Sequence, residues 1–196
     1  MYDYKTIITI SAVILNFVAY FPYIRDILKG KTTPHVFTWF IWGLVTAIIF
    51  ALQLNGGAGV GSWITCATAV TCFFVFFLGL RTGNKNITHS DIVFLILSLG
   101  SLFLWLGVNQ PVLSVILACT TDMLGFIPTI RKSWNDPHSE TVSLYGINTV
   151  KHGISIAALQ QYSIITWLYP VTWTIANAVF ALILVIRRRQ VSKILQ

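Results

Sequence analysis

The chain has 196 residues, 56% of them hydrophobic and only 10% charged, with a net charge of +7. Charged residues supply about a quarter of an ordinary soluble domain, so this composition excludes that class and points to an integral membrane protein. The Lys and Arg residues cluster between long apolar stretches, which favours a topology signal over a nucleic-acid surface.

Seven apolar segments follow in order, at 6–25, 36–54, 62–80, 92–108, 112–131, 141–159 and 164–186. Each is long enough, or nearly so, to cross a hydrocarbon layer about 30 Å thick as a helix. Met1 to Lys5 lead directly into the first segment, so no cleavable signal is expected. That segment carries Asn16 inside and ends near Pro22 and Arg25; the second carries Trp39 and Trp42. The turn from Asn55 to Gly61 is glycine-rich, but it lacks the preceding strand and following Lys of a phosphate-binding loop and reads as a flexible turn. The third segment holds Thr71. Cys66, Cys72 and Cys119 all fall in apolar spans without metal-like spacing, as small core residues do. Asn86-Ile87-Thr88 forms a glycosylation sequon, discounted because it lies in a basic loop. The fourth segment is the shortest, lacks a strongly polar side chain inside, and reads as a linker helix.

The fifth segment contains Asp122, Gly125 and Pro128, and the sixth carries Asn148, Lys151, His152 and Ser155 on one helical face. Asp122 and Lys151 each lie about ten residues inside their segments, which at about 1.5 Å per residue puts them near mid-membrane. Ionisable groups at that depth mark functional sites by default. They are expected to pair. Attraction of about 4 kcal/mol at roughly 4 Å would offset insertion penalties of about 2.5–3.5 kcal/mol each. Asn16, Thr71 and Asn177 share that depth and are expected to line a common cavity, with Trp39, Trp42 and Trp173 as its aromatic wall. His152 is the one deep histidine, whereas His35, His89 and His138 fall in or beside loops. Trp63, Trp105 and Trp167 lie near span ends as interfacial anchors. Pro22 and Pro128 interrupt helical bonding and are read as hinges. Arg187-Arg188-Arg189 reads as a stop signal resting on anionic lipid.

With seven spans, Arg25, Lys29, Lys31, Arg81, Lys85, Arg131, Lys132, Arg187, Arg188, Arg189 and Lys193 share one face, against Lys5 on the other. This places the N-terminus outside and the C-terminus in the cytoplasm. A shift of 106 residues superposes the first three spans on the last three: Pro22 on Pro128, Arg25 on Arg131, Val36 on Val142, Asn16 on Asp122 and Arg81 on Arg187. The expected fold is therefore an all-α membrane protein with two parallel three-helix bundles joined by a linker helix. Residues 1–85 form the first repeat, 86–110 the linker, 111–190 the second repeat and 191–196 a cytoplasmic tail. Parallel repeats place a solute site at their interface.

This plan, with a proline near the cytoplasmic end of the first helix of each repeat, resembles the SWEET and PQ-loop superfamily of small-solute transporters. The resemblance covers essentially the whole chain, although Pro22 is followed by Tyr23 and Pro128 by Thr129, where the family has Gln. It implies that Asn177 stands where sugar carriers hold a substrate-contacting asparagine. It also implies that Asp122 with Gly125 matches the Asp-x-x-Gly of proton-coupled members. The expected function is transport of a small polar, charged or zwitterionic solute by alternating access, with or without proton coupling. Alternatives are a uniporter of neutral sugars and a receptor or scaffold on the same fold. No enzyme activity, cofactor, metal or nucleic-acid partner is expected; the bilayer is the one fixed partner, and self-association stays open.

Overall fold

The computed structural model describes every residue except 1–2, 31–33, 84, 86, 136, 139 and 195–196, and the backbone alone at 128, 131, 132, 135 and 192–194. Lys31, Asn86 and the side chains of Arg131, Lys132, Lys193 and Pro128, with the hinge expected there, thus lie outside the described residues. Among those described, seven helices and no strand occur: α1 (Tyr4–Leu28), α2 (Val36–Asn55), α3 (Ser62–Thr82), α4 (His89–Leu106), α5 (Pro111–Asn135), α6 (Val142–Ala158) and α7 (Ile164–Ile194). Five stretches are long and apolar enough to cross a membrane: Tyr4–Leu28, Val36–Asn55, Gly59–Thr82, His89–Leu106 and Ile164–Val191. In α5 the apolar stretch is the shorter Pro111–Ile127. The 17 residues of α6 include Asn148, Lys151 and His152. The chain is a helical membrane protein.

Its side chains are sorted for a hydrocarbon solvent. On α1, Ile7, Ile10, Ile14, Phe17 and Phe21 are exposed, while Thr9, Ala12, Asn16 and Ala19 are buried. Apolar groups lose nothing by facing lipid, whereas polar groups must find partners inside. Helix starts follow local rules. Thr88 and Asp91 form a reciprocal capping box on α4, and the His35 ring accepts from the Thr38 amide at the start of α2.

α3 packs on both α1 and α2, and α7 on both α5 and α6. Across the middle, α1 meets α6 and α2 meets α5, while α4 covers α2 and α5. Reciprocal bonds between Ser101 and Ser114 (Oγ to carbonyl, 2.9 and 2.7 Å) fasten α4 to α5.

The two ends of the molecule differ. At the end bearing residues 56–61, the N- and C-terminal halves are stitched together. The Gln160 amide donates to the Ala58 carbonyl (3.0 Å), Lys5 Nζ to the Leu159 carbonyl (2.7 Å) and Gln53 Nε2 to the Thr166 carbonyl (2.9 Å). The glycine-rich turn is therefore packed against the C-terminal half. It contains a 3-10 turn at Gly59–Gly61, and a Cβ on Gly61 would stand 2.8 Å from the Ala158 carbonyl. Toward the opposite end the aromatic residues gather in two clusters: Tyr20, Tyr23, Trp39 and Trp42 in one half, Phe126, Tyr145, Trp173 and Phe180 in the other.

Two features of the C-terminus go beyond the sequence. α7 runs on to Ile194, so residues 191–194 are helical. Arg187 and Arg188 also do more than meet lipid. Arg187 donates to the Trp134 carbonyl (2.9 and 3.1 Å), and Arg188 donates to the Pro137 and Glu140 carbonyls. These carbonyls lie at the end of α5 and in the loop after it, where no further helical turn supplies donors.

Candidate functional site

Lys151, on the inward face of α6, is fully buried, with 0% exposure. Its Nζ donates to Asn16 Oδ1 on α1 (3.0 Å) and Thr68 Oγ1 on α3 (3.3 Å), and lies 5.7 Å from the centre of the Tyr20 ring. Asn16 in turn donates to Thr71 Oγ1 (2.9 Å), and the Thr71 hydroxyl donates back to the Ala67 carbonyl (2.8 Å). This ammonium is held entirely by neutral oxygens and one aromatic face. Among the described residues no carboxylate stands within 4 Å of it.

Asp122, 3% exposed on α5, faces a different set. Its Oδ2 accepts from Trp173 Nε1 on α7 (2.9 Å), while Oδ1 is buried without a hydrogen-bond partner. The Trp173 ring stacks on His152 with centroids 6.4 Å apart, and His152 meets Tyr169 edge-on at 5.7 Å. From the other side Trp42 reaches α5, its Nε1 standing 3.3 Å from where a Cβ on Gly125 would be. Trp42 and Trp173 thus flank the Asp122–Gly125 turn. Trp39 stands behind, against Tyr20, Tyr23 and Trp42.

The expected Asp122–Lys151 ion pair is not formed; the two groups have different partners and do not come within 4 Å. The reason is topological. Chain order suggests that consecutive spans are neighbours, but α6 packs mainly on α7 and α1, and α5 mainly on α4 and α7, so that Lys151 meets α1 and α3.

Of the other expected site residues, the structure brings Asn16 and Thr71 to Lys151, and His152, Trp42 and Trp173 to the surroundings of Asp122. Asn148 is buried one turn before His152, its Oδ1 unpartnered. Asn177 is buried but turns its amide onto its own helix, donating to the Trp173 carbonyl (2.7 Å). It joins neither charged group. Pro22 lies inside an unbroken α1, and so does Pro170 in α7, which sequence reasoning passed over. Thr68 and Tyr20 were also missed. Thr65, Thr68 and Thr71 recur every third residue of α3, a signal for an inward polar stripe, but such threonines commonly bond their own helix.

No protein-family model, curated protein or solved structure matches this chain.

Proposed function

We propose that this protein is a membrane carrier for a small charged or zwitterionic solute. The observation that supports it is the pair of opposite ionisable groups buried at mid-membrane without a counter-ion. A protein needing only helix locks would have paired them or replaced them with apolar residues, because unpaired groups at that depth are expensive. A solute bearing both charges would complete both half-sites at once.

The helix packing supports the repeat plan. Val36 and Val142, the first residues of α2 and α6, are 106 apart (142 − 36), as in the sequence shift. α1–α3–α2 and α5–α7–α6 have the same packing order, and the α1–α6 and α2–α5 contacts are exchanged by that shift. On this reading two parallel three-helix bundles are joined by α4, as the resemblance to the SWEET and PQ-loop superfamily implies, and they rock about the central site. The end stitched at residues 56–61 is the outer one, in keeping with the basic residues at the opposite end.

Reconstitution tests the carrier reading. Proteoliposomes are expected to take up at least one labelled amino acid saturably and to show counterflow; uptake of neutral sugars alone would remove the charged-solute reading. The orientation has its own test. A reporter fused at Gln196 is expected in the cytoplasm and one inserted at Gly57 outside, and finding both on one side would refute it.

A further inference from the structure

Among the described residues, four buried side-chain atoms lack a hydrogen-bond partner: Gln53 Oε1, Ser163 Oγ, Asp122 Oδ1 and Asn148 Oδ1. The first two lie near the stitched end. The other two lie at mid-membrane, and both are acceptors. They are linked through one aromatic unit. Trp173 donates to Asp122 and stacks on His152, and Asn148 precedes His152 by one turn on the buried face of α6. Buried acceptors without donors cost about 1–3 kcal/mol each, so this place is built for something that brings hydrogens.

We propose that Asp122 Oδ1 and Asn148 Oδ1 form a subsite for the N–H hydrogens of a protonated amine on the transported solute. The proposal rests on the carrier reading and narrows its substrate class. A primary ammonium supplies three N–H donors and can serve both oxygens. A quaternary ammonium has the same charge and favours the same aromatic faces, but it offers no N–H and leaves both acceptors unmet. Lys151 lies beyond, its positive charge suited to an anionic group at the other end of the solute. The subsite therefore reads donor number as well as charge.

The test is a thermal-shift and uptake screen of the purified, reconstituted protein. The probes are the twenty protein amino acids and straight-chain mono- and diamines, followed by the N,N,N-trimethyl counterpart and the amine-free acid of every binder. At least one primary amine is expected to raise the melting temperature, with its trimethyl counterpart binding at least ten-fold more weakly. Asn148→Ala is expected to fold, because it strands no partner, to bind that amine about ten-fold more weakly and to lose the discrimination. Asn148→Asp, which keeps an acceptor, should retain it. If trimethyl or amine-free probes bind and are carried as well as the amine, the subsite is refuted while the carrier reading stands. The subsite is refuted equally if folded Asn148→Ala binds the amine as wild type does; should Asn148→Ala fail to fold, Asn148→Asp without discrimination decides against it. If no probe binds or is taken up, both readings fall.

Discussion

Lys151→Met is expected to abolish solute uptake while leaving the protein at least as stable as wild type. The methionine fills similar space without a charge. The group left behind is not stranded, since the Thr68 hydroxyl stands 3.1 Å from Asn16 Oδ1 and can donate to it, and the Asn16 amide keeps Thr71. Exchanging a buried ion for an apolar side chain of like volume is commonly neutral or stabilising by about 1–4 kcal/mol. A lysine that served only to pin α6 against α1 and α3 would give the reverse result, with lowered stability and preserved uptake. Thermal unfolding in detergent and uptake in liposomes separate the two.

Asn16→Leu is expected to have the largest effect on stability, a loss of about 3 kcal/mol or more, because it leaves a buried ammonium short of its best acceptor. Adding Lys151→Met to that variant should restore most of the loss, and the cycle of four proteins should show strong coupling. Asp122→Asn combined with Lys151→Met should behave differently. The two sites share no hydrogen-bond partner, so their coupling should be clearly weaker than in the first cycle. Strong coupling in this second cycle, with none in the first, would mean that Lys151 meets Asp122 and not Asn16 at the centre of the bundle.

The sequence made the helices legible, because apolar length and polar interruptions are local properties. It also showed which residues were unusual. Asn16, Asp122, Asn148, Lys151 and His152 all proved to be buried. What it left out was the pairing. Whether Lys151 meets Asp122 or Asn16 depends on α6 packing on α1 and α7 while α5 packs on α4 and α7, a matter of chain path that no residue spacing records. The role of Thr68 was hidden for a related reason. A threonine in a membrane helix always has its own backbone to bond, so a distant partner leaves no trace in composition. Arg187 and Arg188 do more than their grouping at a span end records, since their bonds to the carbonyls of 134, 137 and 140 are a tertiary feature.

Lys151 is separated from its two acceptors by 135 and 83 residues of chain. On a ribosome that makes the N-terminal part first, α1 and α3 have entered the bilayer before α6 is complete. The oxygens of Asn16 and Thr68, which stand 3.1 Å apart in the folded protein, are therefore made before the ammonium that needs them. Had the order been reversed, that ammonium would have entered hydrocarbon bare, at a cost of about 3 kcal/mol, with no surface to receive it. Chain order makes the early helices a template for inserting a late one, and a C-terminal half synthesised alone has no such template.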